Sequence, residues 1–215
     1  MQREKICYIV GAGDWYDYPI TRRNGDLLIA VDGGYDTLSG MHLVPDYVIG
    51  DFDSISHSVE GENCIRLNPI KDDTDTLWAV SFAKKQGYHT IILLGVTGGA
   101  RISHTVANIQ ILERFKDLAI FLVDREEVLF LLENDRIVFP AKCTGYLSVF
   151  SLAEESRGVT EKGLKYQLSG ASLYRNFPIG VSNEFIGEVG EVSVENGTLL
   201  LAVEKDVLNY LLEEM

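Results

Sequence analysis

Four short apolar runs in the first half of the chain each stop at glycine or aspartate, and this repetition constrains the fold more than any other feature. Lys5–Val10 ends at Gly11-Ala12-Gly13, and Leu27–Val31 ends at Asp32-Gly33-Gly34. Tyr47–Ile49 leads into Gly50-Asp51-Phe52-Asp53, and Thr90–Leu94 into Gly95-Val96-Thr97-Gly98-Gly99. Short apolar runs bounded by turn-forming residues read as buried strands. Between and after them, apolar residues recur at helical spacing: Leu77, Val80 and Ala83 in the segment from Asp75 to about Lys85, then Val106, Ile109, Leu112 and Phe115. Leu118–Val123 reads as the next strand. This alternation predicts an α/β domain with an open, mostly parallel sheet. In that architecture ligands bind beyond the carboxyl ends of the strands.

After about Asn134 the texture changes. Short runs at Arg136–Phe139, Tyr146–Leu152, Leu164–Leu168, Val189–Val194 and Thr198–Val203 are separated by turn signals. Asn196-Gly197 is a strong two-residue hairpin signal. A helical pattern returns only at Asp206–Glu213. The expected organisation is an α/β domain over 1–133 and an all-β domain, a small antiparallel sandwich or barrel, over 134–215.

At 215 residues, with 46% hydrophobic and 24% charged, the chain can bury a proper core. No apolar stretch is long enough to span a bilayer. Met1-Gln2-Arg3-Glu4-Lys5 leads straight into a strand-like run and does not read as a signal peptide, so the expected compartment is the cytoplasm. Cys7, Cys64 and Cys143 are scattered and without metal-ligand spacing, which argues against a disulfide framework. The net charge of −13 disfavours nucleic acid or an anionic membrane as partner, since both need a basic surface. An acidic protein that handles phosphates must reverse the local field with a divalent cation or a few basic residues.

Several segments carry residues suited to that task. In an extended segment, residues two apart face one side, so Asp51 and Asp53 are expected to aim both carboxylates at one point. That is costly unless a cation lies between them, and Mg²⁺ takes carboxylate oxygens while leaving positions for phosphate and water. The alternative is a loop whose aspartates cap backbone amides. Lys71-Asp72-Asp73-Thr74-Asp75 opens a helix, where Asp72 could be the N-cap and acidic residues suit the dipole. Three aspartates exceed what a cap requires, and Lys71 could hold a phosphate oxygen. In Gly98-Gly99-Ala100-Arg101 the glycines would admit phosphate oxygens to backbone amides at a helix start. Arg101 could neutralise charge on a transferring phosphoryl group. A plain strand-to-helix turn with a surface arginine is the other reading. Asp32-Gly33-Gly34 suits either a nucleotide ribose or base, or a tight turn.

Some readings are excluded. Gly11-Ala12-Gly13 is not a dinucleotide fingerprint, because Tyr16 stands where glycine is required, and no P-loop sequence exists. His104 is the only histidine near a motif, and no serine or cysteine sits in a nucleophile turn. Tyr166, Tyr174 and Phe177 are expected to be core or packing residues.

Six stretches together resemble the thiamine pyrophosphokinase family in order and approximate spacing. They are Val31-Asp32-Gly33-Gly34, Pro45-Asp46-Tyr47-Val48-Ile49-Gly50-Asp51-Phe52-Asp53-Ser54, Lys71-Asp72-Asp73-Thr74-Asp75, Gly98-Gly99-Ala100-Arg101-Ile102-Ser103-His104, Gly163-Leu164-Lys165-Tyr166 and Gly180-Val181-Ser182-Asn183-Glu184-Phe185. The resemblance implies an N-terminal α/β catalytic domain, a C-terminal β-sandwich, and a homodimer with active sites between subunits. It implies transfer of the terminal pyrophosphate of ATP to the hydroxyethyl group of thiamine, leaving AMP and thiamine diphosphate, with Mg²⁺ required.

By the same resemblance, Asp51, Asp53 and Asp75 would hold Mg²⁺ on the phosphates and, with Arg101, make up the catalytic set. Lys71, Thr74 and Arg101 would hold phosphate oxygens, and Asp32, Gly33 and Gly34 would line the nucleotide side. Asp72, Gly98, Gly99 and His104 would complete the ATP site. Ser182 and Asn183 would hydrogen-bond the aminopyrimidine, and a negative surface is compatible with the cationic thiazolium. One departure stands out. The family usually reads Gly-Gly-Arg-x-Asp-His, whereas here Ala100 precedes the arginine and Ser103 replaces the aspartate. Two other functions share these features: a pterin-alcohol pyrophosphokinase, and a non-catalytic thiamine- or nucleotide-binding protein.

Overall fold

A computed structural model of the chain describes residues 4–52, 56, 61–68, 73–99 and 102–214. The chain divides into two compact units, Met1–Arg125 and Glu126–Met215.

In the first unit the strands are β1 (Ile6–Val10), β2 (Leu27–Val31), β3 (Tyr47–Gly50), β4 (Cys64–Arg66), β5 (Thr90–Leu94) and β6 (Ala119–Val123). The helices are α1 (Gly34–Gly40), α2 (Asp75–Lys85) and α3 (Ile102–Arg114). The strands lie in the order β6-β5-β1-β2-β3-β4, and every pairing among them is parallel. Every residue of β1, β2 and β5 is buried, as a parallel sheet covered on both faces requires. The chain runs outward from β1 through β2, β3 and β4, then returns to place β5 on the other side of β1. That reversal is where an open α/β sheet leaves a crevice at its carboxyl ends.

Helix α2 begins at the expected residue, but its N-cap is Thr74, whose Oγ1 accepts from Leu77 N at 3.2 Å. The expected N-cap, Asp72, lies outside the described residues. Pro45-Asp46 serves the fold: Asp46 Oδ2 accepts from Leu28 N at 2.8 Å and pairs with Arg22.

The second unit holds two antiparallel sheets. One contains β7 (Glu127–Glu133), β9 (Tyr146–Ser151), β12 (Asn183–Glu184) and β14 (Thr198–Glu204), in the order β12-β9-β14-β7. The other contains β8 (Arg136–Phe139), β10 (Glu155–Lys162), β11 (Leu168–Tyr174) and β13 (Gly190–Ser193), in the order β11-β10-β13-β8. α4 (Val207–Glu214) ends the chain. Two expectations change here. Asn196-Gly197 does not join a hairpin, because β13 and β14 on either side of it belong to different sheets. It is held by partners distant in sequence: Arg157 N donates to Asn196 O, and Asn134 Oδ1 accepts from Gly197 N, each at 2.8 Å. Leu164–Leu168 is not a strand either. Leu164 makes one isolated bridge to Phe185, and β11 begins only at Leu168.

Candidate active site

The loops after β1 and β5 are laced together by backbone. Gly11 N donates to Leu94 O at 2.8 Å, Gly13 N to Gly95 O at 2.6 Å and Asp14 N to Thr97 O at 3.2 Å. Together with the ends of β2 and β3 and the start of α2, they enclose a cavity of about 540 Å³. Asp32, Asp51 and Asp75 line it, with Gly98, Gly99 and His104. Three acidic residues, from the ends of β2 and β3 and from the first turn of α2, therefore line one space at the carboxyl end of the sheet.

Each has a local reason to be there. Asp32 adopts φ of 47°, uncommon for a residue with a side chain, and its N donates to Ile49 O at 3.0 Å. Asp51 follows Gly50, where any Cβ would meet Asp32 Oδ1. Asp75 stands in the first turn of α2, just inside the Thr74 cap. The cap engages the Thr74 hydroxyl in its own helix, whereas Asp75 and Thr76 line the cavity. Gly33 and Gly34 form the start of α1 and are not among the lining residues. Gly98 has φ of 66°, and a Cβ there would lie 2.3 Å from Tyr16 Oη and 2.6 Å from Asp14 Oδ2.

The argument from strand alternation needs correction. Phe52 has φ of 67°, so the backbone at Phe52 is not in the extended conformation that the alternation argument requires. Asp53, Lys71, Asp72 and Arg101 lie outside the described residues. Among the described residues, no group of three or more His, Cys, Asp or Glu side chains could by itself hold a metal ion.

Sequence reasoning missed Gly11, Ala12, Gly13 and Asn108, which also line the cavity. The Gly11-Ala12-Gly13 turn lacks a dinucleotide fingerprint, yet its position directly after a strand is the signal that marks it. Asn108 is buried on α3 and donates Nδ2 to Val96 O at 2.7 Å, fastening the helix to the β5 loop. Its spacing is the usable signal: Asn108 stands three, four and seven residues before Ile111, Leu112 and Phe115, on the buried face of the helix.

In the second unit, Ser182 is exposed with φ of 59°, and its N donates to Ser148 Oγ at 3.0 Å. Asn183 is buried, and both ends of its amide are engaged inside the unit. Tyr166, Tyr174 and Phe177, expected in the core, are exposed.

Two family models match the chain: the thiamin pyrophosphokinase catalytic domain over residues 20–122 and the thiamin pyrophosphokinase vitamin B1 binding domain over residues 135–199. The chain belongs to the thiamin pyrophosphokinase family. Its relatives include thiamine pyrophosphokinase of Bacillus subtilis, 28% identical over 190 residues that cover 84% of this chain and 88% of that protein. The crystal structure of thiamine pyrophosphokinase from Bacillus subtilis superposes with a TM-score of 0.84 at 27% identity, covering 94% of this chain and all of that one. Thiamin pyrophosphokinase from Geobacillus thermodenitrificans gives 0.80 at 28% identity, covering 94% and 98%. Membership in this family makes the chain an ATP-dependent transferase that converts thiamine to thiamine diphosphate. Among the described residues, no helix is long and apolar enough to cross a membrane.

Proposed function

We propose that the cavity of the first unit binds the polyphosphate of ATP and that the second unit supplies the thiamine contacts. In this reading the first unit is the α/β catalytic domain and the second is a β-sandwich that binds the vitamin; the second unit begins at Glu126 and includes β7, so the division falls eight residues before the expected 133/134 boundary. The observation that carries it is the convergence of Asp32, Asp51 and Asp75 with Gly98 and Gly99 on one cavity.

The thiamine hydroxyl oxygen attacks the β-phosphorus of ATP in line. A new oxygen–phosphorus bond forms, the bond from Pβ to the oxygen bridging to Pα breaks, AMP leaves with that oxygen, and the hydroxyl proton is released to solvent. Little covalent chemistry falls to the protein, so positioning and charge neutralisation dominate. The donor set is all hard oxygen, which suits Mg²⁺, an ion that proteins hold through one or two carboxylates together with substrate phosphates and water. That fits an ion shared between protein and phosphates, with Asp51, Asp53 and Asp75 as its protein ligands. Bound there, Mg²⁺ would neutralise phosphate charge. Lys71, Asp72, Thr74, Arg101 and His104 complete the phosphate side. Asp32, with Gly33 and Gly34 behind it, orients the nucleotide. Ser182 presents its hydroxyl to the aminopyrimidine, and Asn183 acts from beneath.

The active form is a homodimer in the cytoplasm. Supporting this, Tyr174, Phe177, Ile179, Val181, Ile186 and Val189 are all exposed within one stretch of the second unit, an apolar density that suits burial against a second copy. Light scattering would test it.

A steady-state assay with thiamine, ATP and Mg²⁺, with products identified by mass, tests the whole reading. Equal amounts of AMP and thiamine diphosphate are expected. Turnover of hydroxymethylpterin in place of thiamine would refute it.

A further inference from the structure

Asn183 has no hydrogen-bonding capacity left for a ligand. Its Nδ2 donates to Glu161 Oε2 and to Tyr166 O, both at 2.6 Å. Its Oδ1 accepts from Tyr166 N and Glu184 N, both at 2.9 Å. A primary amide has two hydrogens to give and two lone pairs to receive with, so four bonds saturate it. Asn183 is 5% exposed and Glu161 is 2% exposed.

These bonds join two segments distant in the chain. Tyr166 is fixed at both its backbone N–H and its C=O, while its ring stays exposed. Beside it, Lys165 N donates to Glu184 O at 3.0 Å, and Lys165 Nζ reaches Glu184 Oε2 at 2.6 Å. On the other side Asn183 adjoins Ser182, whose strained backbone is held by Ser148.

Glu161, on β10, closes this network from the opposite sheet of the second unit. Its Oε1 is buried without a hydrogen-bond partner among the described residues. A buried polar atom left unpartnered is costly and requires a reason. Burial also pushes the Glu161 carboxyl above the usual carboxylate range, against the opposing pull of the Asn183 hydrogen bond. An apolar side chain of similar size would fill the same space without that cost.

We propose that Glu161 is a positioning residue for vitamin binding: through the Asn183 amide it holds Ser182 and Tyr166 in one fixed relation before thiamine arrives. Fixing a binding surface in advance removes an ordering cost that binding would otherwise carry. The proposal rests on the reading that the second unit holds thiamine.

The test uses the full chain with ATP, Mg²⁺ and thiamine. Glu161→Leu fills the space but removes the acceptor. It should raise KM for thiamine about tenfold, the scale of one buried polar group left unpaired. kcat and KM for ATP should stay within about twofold; destabilisation alone would instead lower the active fraction, and hence apparent kcat, and leave KM for thiamine unchanged. Glu161→Gln keeps an acceptor oxygen and should bring KM back. If Glu161→Leu does not fold, Glu161→Asp decides, since it withdraws the acceptor by one methylene and should raise KM for thiamine in the same direction. An unchanged KM in a folded Leu or Asp variant overturns the proposal, as does a Gln variant as impaired as Leu. Ser182→Ala separates the two levels. If it leaves KM for thiamine unchanged, the reading of the second unit fails and the proposal with it. If it raises KM while the Glu161 series stays flat, the Glu161 proposal alone fails.

Discussion

A Cβ on Gly50 would sit 1.7 Å from Oδ1 of Asp32, so the ends of β2 and β3 approach as they do only because residue 50 has no side chain. Gly50 also has φ of 156°, at the edge of the region that side chains avoid. Gly50→Ala must therefore displace Asp32, or Asp51 next to it. The expected outcome is a stability loss of about 1–3 kcal/mol by urea unfolding, with a larger loss of turnover than of folded protein. A Gly50→Ala variant with ordinary turnover would show that the Asp32–Asp51 spacing does not matter to the reaction.

The two described carboxylates proposed to hold Mg²⁺ make a paired prediction. Asp51→Asn and Asp75→Asn each remove a charged oxygen ligand and should each lower kcat by at least about a hundredfold. Asp53→Asn is expected to behave alike. Thiamine affinity by calorimetry should hardly change, because the vitamin is proposed to be held by the second unit. Groups that serve one ion do not act additively. The Asp51→Asn/Asp75→Asn double variant should therefore lose far less than the product of the two single losses. Multiplicative losses would mean that the two carboxylates serve different tasks.

The parallel sheet was legible because buried strands are apolar throughout: β1, β2, β3, β5 and β6 all coincide with apolar runs that stop at glycine or aspartate. The second unit was harder to read. β10, Glu155-Ser-Arg-Gly-Val-Thr-Glu-Lys, contains one apolar side chain, Val159, and its strand state comes from pairing with β11 and β13. No local pattern carries that. β7 does alternate, with Val128, Phe130 and Leu132 buried and the turn residues Asn134-Asp135 directly after it, but it follows β6 closely and lies before the change of texture at Asn134. At the site, residue types identified Asp32, Asp51 and Asp75. Backbone conformation was not legible: the positive φ at Phe52 makes strand alternation the wrong argument for Asp51 and Asp53. The inward orientation of Asn183 was hidden for the same reason, since sequence does not say which way an amide faces.

Asn108 should prove to be a structural member of the ATP site. Its Nδ2–Val96 O bond is the buried tie between α3 and the β5 loop. Asn108→Ala leaves that carbonyl without its donor and should cost about 1–3 kcal/mol. Because the loop continues into Gly98 and Gly99, KM for ATP should rise while KM for thiamine holds. Equal changes in both constants would place Asn108 in general stability rather than at the nucleotide.

Glu161 also predicts how stability depends on pH. Below about 4.3, the usual carboxyl value, its side chain is protonated in both folded and unfolded chains and contributes no slope. Above that value the unfolded chain releases the proton, while burial keeps it on the folded one. The unfolded state then binds fewer protons, so stability falls as pH rises. The fall ends once pH passes the raised folded-state value. Glu161→Gln cannot titrate and lacks this fall. Urea unfolding of both proteins from about pH 3 upwards should give curves that run parallel at the acid end. They should then diverge in favour of the Gln variant and run parallel again. A difference that stays flat, or that grows in favour of the glutamate, would mean that the buried carboxyl is not held in its neutral form.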